Sequence, residues 1–153
     1  GRAQRVRLLV SSRGKPRCES APLDPWPAGG PPVRLRLASG PVDSGDVFLY
    51  HKTTHRAVYE QARAAVPECD DVVLWNERGE VTETTIANLA VELAGEVVTP
   101  PVSCGLLAGT MRAALIDAGE LRERVLTKDD LRRADRIWCL NSVRGRRPAL
   151  LLA

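Results

Sequence analysis

Apolar positions along this chain come in short alternating runs separated by glycine, proline and acidic turns. "RVRLLVSS" (5–12) and "PRCESAPL" (16–23), with "RGK" between them, predict two strands about a turn. "DPWPAGGPP" (24–32) holds four prolines and two glycines in nine residues, so it predicts a linker and a domain boundary rather than regular structure. "VRLRLAS" (33–39) alternates as a strand. "VFLY" (47–50) has strand character and leads into a helix capped by Thr53 or Thr54, running through Val58, Ala62 and Ala65 to Pro67.

Further along, "DVVLWN" (71–76) and "EVTE" (80–83) predict a hairpin about "ERG", and "IANLAVEL" (86–93) pairs with "EVVTPP" (96–101) about Ala94-Gly95. "GLLAGTMRAALIDAG" (105–119) predicts a glycine-led helix with Met111, Leu115 and Ala118 on one face. "LRERVLT" (121–127) alternates, "KDDLRRA" is a short helix capped by Thr127, and "RIWCLNS" (136–142) is a buried strand. Hairpins and crossovers interleave with helices, which predicts a mixed α/β (α+β) architecture rather than a doubly wound parallel sheet.

The 153 residues suffice for one core, or for one domain and part of another. Hydrophobic residues make up 44% and charged residues 27%, an ordinary globular balance, and no apolar run approaches the ~20 residues of a membrane span. With no signal-peptide pattern at the start of the sequence, a cytoplasmic location and no membrane partner are expected. The net charge of +3 is mild and the arginines are scattered apart from "RGRR" (144–147), with few aromatics to stack on bases, so no nucleic-acid partner is expected. Cys18, Cys69, Cys104 and Cys139 lie far apart without a CxxC, which predicts reduced, mostly buried thiols.

Candidate chemistry is narrow. His51 and His55 are spaced i, i+4, but the glutamate of an HExxH site is replaced by Lys52 and the chain has no other histidine, so no metal site is expected. Glycine-rich phosphate and dinucleotide loops are absent. Only three lysines occur among 22 basic residues, and one of them, Lys52, stands where an apolar run meets a helix. A lysine in such a place serves as a nucleophile or Schiff-base former, or is simply a solvated strand-end lysine. Glu83 beside threonines either accepts from a protonated ring nitrogen or is an exposed hairpin glutamate. Gly105 and Gly109 lead a helix whose free N–H groups at Thr110 and Met111 suit an anion, and Ser142 adds a hydroxyl.

The segments "FLYHKTTHR", "NERGEVTETTIANL", "GLLAGTMR" and "WCLNSVRGRRPA", in this order, resemble the large domain of fold-type IV (class IV aminotransferase) pyridoxal-phosphate enzymes. The wording is most similar to aminodeoxychorismate lyase, as found at the C-terminus of fused para-aminobenzoate synthase chains. The resemblance implies a β pseudo-barrel with flanking helices over residues 33–153, a 24–32 linker, and in residues 1–23 a hairpin remnant of the small N-terminal domain. It implies pyridoxal 5'-phosphate as cofactor, carried covalently by Lys52, with Glu83 on the pyridine nitrogen, Thr110, Met111 and Ser142 on the phosphate, and Asn88 in support. Arg56 falls in the cofactor set where the family's aminotransferases carry a tyrosine, a departure that leans away from a branched-chain transaminase.

The implied reaction converts 4-amino-4-deoxychorismate to 4-aminobenzoate and pyruvate, in folate biosynthesis. The alternatives are a branched-chain or D-amino acid type transaminase and a non-catalytic truncated domain. Family members are usually homodimers and have a further N-terminal domain that supplies substrate contacts. The chain is therefore expected to be a fragment, weakly active alone and prone to associate.

Overall fold

The computed structural model describes every residue except 25, 26 and 28. The chain divides into two compact units, residues 1–30 and 31–153. Part of the expected 24–32 linker therefore lies outside the described residues. In the first unit Gln4–Val10 (β1) pairs antiparallel with Pro16–Pro22 (β2), Leu8 opposite Cys18. Gly14, at φ 73°, makes the turn and donates its N–H to the Ser11 carbonyl at 2.9 Å.

The second unit is built on eight strands: Val33–Leu37 (β3), Asp71–Trp75 (β4), Val81–Thr84 (β5), Asn88–Leu93 (β6), Glu96–Thr99 (β7), Arg122–Glu123 (β8), Arg136–Asn141 (β9) and Gly145–Leu151 (β10). Their spatial order is β5-β4-β3-β10-β9-β6-β7-β8. The β10–β3, β3–β4 and β7–β8 pairs are parallel and the others antiparallel. Three helices accompany them: Ala57–Ala64 (α1), Thr110–Asp117 (α2) and Lys128–Arg132 (α3).

The sheet curls until its edges meet. Glu80, just before β5, bridges to Thr127, beyond β8, and the Val81 N–H donates to the Leu126 carbonyl at 2.7 Å. Joining the edges removes the exposed ladder that an open sheet would present. Leu35, Val73, Val81, Leu89, Leu126 and Cys139 fill one continuous core inside the curl. Outside it, Tyr59 and Val66 pack on Val72 and Leu74 of β4, and Met111, Leu115 and Ile116 pack on Ala90 and Leu140. Buried on both faces, β4 reads as an unbroken apolar run, "VVLW", rather than as an alternation.

Several predicted elements move. Residues 47–49 of "VFLY" form a 3-10 turn instead of a strand, because Asp46 Oδ1 accepts the Phe48 N–H at 2.9 Å and the Asp46 carbonyl takes that of Leu49. The following helix starts only at Ala57. Thr53 Oγ1 accepts the His55 N–H at 3.0 Å, a local turn that competes with capping and leaves Arg56 at the N-cap. His51 and His55 therefore precede the helix and share no helical face.

Helix α2 likewise begins at Thr110, since Gly105 is left-handed at φ 95° and Gly109 is the N-cap. "LRERVLT" pairs as a strand only over Arg122–Glu123. Thr127 caps α3 in a capping box with Asp130. All four cysteines are free; Cys69, Cys104 and Cys139 are buried and Cys18 is exposed.

Leu126 is 0% exposed at the closure of the curl, whereas Leu150 is 51% exposed. Leu126→Ala should cost about 2–5 kcal/mol in urea unfolding, and Leu150→Ala less than about 0.5 kcal/mol.

Candidate active site

Strand β5 carries Glu83 into the protein, where it is 5% exposed. A buried carboxylate needs donors, and three converge on it. The Tyr59 hydroxyl of α1 donates to Oε1 at 2.9 Å, the Leu107 N–H donates to Oε1 at 3.2 Å, and Asn88 Nδ2 of β6 donates to Oε2 at 3.1 Å. Burial pushes the Glu83 pKa up to about 7, opposed by the Tyr59 and Leu107 hydrogen bonds and by the charges of Lys52 and Arg56. Glu83 is thus not an exposed hairpin glutamate.

Asn88 links two parts of the site. Its Nδ2 also donates to the Leu107 carbonyl at 2.8 Å, so one amide holds both the carboxylate and the loop leading to α2. A Cβ on Gly109 would lie 2.1 Å from Asn88 Oδ1, which explains a glycine at this N-cap. Beyond it the first N–H groups of α2, at Thr110 and Met111, have no carbonyl partner within the helix, as at any helix start. Thr110 Oγ1 lies 2.5 Å from Ser142 Oγ, which follows β9, and both residues are exposed. The Met111 side chain packs on the sheet, against the cluster of Ala90, Leu121 and Leu140.

Lys52 is exposed in the segment ahead of α1, near enough for its charge to act on Glu83. Arg56 is half-buried; its Nη2 donates to the Thr85 carbonyl, and its guanidinium carbon sits 4.6 Å from the Tyr59 ring centroid. Thr85 is held in turn by Asp71 Oδ1, which accepts its hydroxyl at 2.5 Å.

The structure thus joins Glu83 to Asn88 and Thr110 to Ser142 by direct contacts, and sets Lys52 and Arg56 about the carboxylate. Sequence reasoning missed Tyr59, the Leu107 amide and the steric role of Gly109. The available signal for Tyr59 was a polar tip on the apolar side of a helix; for the other two the pattern offered none. Among the described residues, no group of three metal-ligating side chains is arranged to hold an ion, and no helix is long and apolar enough to cross a membrane.

The Amino-transferase class IV family matches residues 4–152, and the chain belongs to that family. It is 39% identical over 101 residues to the Schizosaccharomyces pombe protein named "Putative aminodeoxychorismate lyase", a match spanning 61% of this chain and 44% of the relative. The crystal structure of a "Putative amino-acid aminotransferase" from Mesorhizobium loti superposes with a TM-score of 0.91 at 39% identity, covering 97% of this chain and 73% of that one. A "Putative 4-amino-4-deoxychorismate lyase" from Legionella pneumophila superposes with a TM-score of 0.82 at 28% identity, covering 90% and 53%. The chain spans about half the length of the curated relatives it matches. The curled eight-stranded sheet with its flanking helices is the large-domain fold of the family.

The raised Glu83 pKa fixes the sign of a pH effect. The folded carboxyl keeps its proton up to about 7, while the unfolded one loses it near 4.5. Its contribution to stability is fully present below about pH 4.5 and is lost as pH rises through about 7. In urea unfolding of the cofactor-free chain, wild type should lose roughly 3 kcal/mol relative to Glu83→Gln across that window.

Proposed function

We propose that this chain is the cofactor-binding part of a pyridoxal-phosphate-dependent lyase that converts 4-amino-4-deoxychorismate to 4-aminobenzoate and pyruvate. The observation that carries the cofactor reading is the buried Glu83 carboxylate, with acceptor capacity remaining on Oε2 and a lysine close by. The donor set fits the group. A protonated ring nitrogen compensates the buried carboxylate, the α2 N-terminus with the Thr110 and Ser142 hydroxyls suits a phosphate, and the accessible Lys52 amine suits an aldehyde.

When bound, pyridoxal 5'-phosphate supplies an electron sink at the carbon that bears the substrate amine. The protein's own part is positional and protonic. Glu83 would hold the proton on the ring nitrogen, and Asn88 keeps Glu83 in register with the loop that starts α2. The Thr110 and Met111 N–H groups and the Thr110–Ser142 hydroxyl pair would hold the phosphate. Lys52 Nζ would take the proton from the amine-bearing carbon as the neighbouring C–O bond to the enolpyruvyl group breaks, and would return a proton to the departing enolpyruvate to give pyruvate. Arg56, tied to the Thr85 carbonyl and lying over Tyr59, adds positive charge near Glu83 and steadies the ring beneath it.

The lyase assignment is supported by the 39% identity to the fission-yeast relative named for that activity. An amino-acid transaminase is the second reading, favoured by the Mesorhizobium loti structure at equal identity. Lys52 and Glu83 would serve either reaction. We further propose that substrate contacts come from the length of the relatives that this chain does not span, and that a homodimer is the working assembly.

Borohydride reduction after adding pyridoxal phosphate, followed by peptide mapping, should place the label on Lys52; a label elsewhere or none refutes the cofactor reading. Lys52→Ala should lower turnover by at least roughly 10²–10⁴-fold, the usual worth of a catalytic proton-transfer group. Pyruvate released from aminodeoxychorismate without an added 2-oxo acid supports the lyase, and a strict requirement for a 2-oxo acid supports the transaminase.

A further inference from the structure

A carboxylate offers about four in-plane acceptor positions, two on each oxygen. On Glu83, Oε1 accepts from the Tyr59 hydroxyl at 2.9 Å and from the Leu107 N–H at 3.2 Å, which fills it. Oε2 accepts from Asn88 at 3.1 Å and keeps one position. We propose that Tyr59 is a positioning residue of the cofactor site, saturating Oε1 together with the Leu107 amide so that Oε2 is the oxygen left to receive a ring N–H. This deepens the cofactor reading above and rests on it.

The hydroxyl is not needed for packing. The Tyr59 ring is buried against Val72 and Leu74 with the Arg56 guanidinium on its face, an environment phenylalanine would also satisfy. Burial, and then the negative Glu83, hold the phenol far above its ordinary range, so Tyr59 remains a donor whenever Glu83 is charged. The charged and titratable groups that act on Glu83 are Tyr59 from α1 and Lys52 and Arg56 from the segment before it. Strand β6 and the loop before α2 present the neutral Asn88 amide and the Leu107 N–H. The Tyr59 and Leu107 hydrogen bonds and the two cations favour the charged carboxylate against the burial that opposes it.

Tyr59→Phe removes the hydroxyl and keeps the ring. In the cofactor-free variant the Glu83 titration midpoint, followed by ¹³C-carboxyl NMR, should rise by about one pH unit, the worth of a hydrogen bond to a charged acceptor. Pyridoxal phosphate affinity should fall about tenfold near pH 6 and return to the wild-type value by about pH 9, where Glu83 ionises without help. A merely structural loss would weaken binding equally at every pH.

The chain has two tyrosines, Tyr50 and Tyr59, so ¹³Cζ-tyrosine labelling gives a second readout that keeps the Tyr59 hydroxyl in place. The Tyr59 resonance in wild type should follow the Glu83 midpoint and lose that dependence in Glu83→Gln. An unchanged Glu83 midpoint in Tyr59→Phe, or a Tyr59 resonance indifferent to Glu83→Gln, overturns the proposal and leaves the cofactor reading standing. A wild-type chain that takes up no pyridoxal phosphate overturns the cofactor reading and with it the role of Tyr59 toward the ring, although the Tyr59–Glu83 pair would still titrate together.

Discussion

Taking one carboxylate out of water sets the terms for the rest of this site. Glu83 is held by a helix, a neighbouring strand and a loop, through Tyr59, Asn88 and the Leu107 N–H. Each donor offsets part of the desolvation cost, and together they leave the charged and protonated forms nearly balanced near neutrality. A carboxylate in that state is poised for a cation. The surroundings supply two at a distance, in Lys52 and Arg56, and a protonated ring in contact would complete the set.

The curl of the sheet is what makes such burial possible. Strand β5 is one edge of the eight, and it is the closure through Glu80, Val81, Leu126 and Thr127 that encloses it. The opposite end of the site depends on the same scaffold. Helix α2 packs Met111, Leu115 and Ile116 on the outer face of β6 and β9, which aims its N-terminus toward Ser142 at the end of β9. Asn88 at the start of β6 joins the two halves through one side-chain amide. Gly109 is constrained by that amide rather than by its own backbone angles, since its φ of −68° suits any residue and the space does not.

Element identity was largely legible in the sequence, because apolar alternation and turn residues act over a few neighbouring positions. The hairpin of β1 and β2, the strands about "DVVLWN", "NLAVEL" and "RIWCLN", and the Thr127 cap stand where their patterns place them. The misreadings have local polar causes. Asp46 and Thr53 each capture a nearby N–H, turning "VFLY" into a 3-10 turn and delaying α1 to Ala57. The extent of β8 was misjudged for a different reason: a strand exists only where a partner does, and alternation does not show where pairing stops.

The site divides along the same line. By itself the sequence determined which chemical groups are present: a lysine where apolar residues give way to a helix, a carboxylate beside threonines, a glycine-led helix start and a late serine, in an order that resembles one enzyme family. Only the tertiary structure decided their states. It turned a glutamate that could have been a solvated hairpin residue into a buried acid with three donors, and it recruited Tyr59, a polar tip on the apolar side of its helix, and Leu107, for which the pattern offered no signal. The reason is physical: burial and hydrogen-bond saturation depend on what packs against a side chain from elsewhere in the chain, and that is fixed only once the sheet has closed.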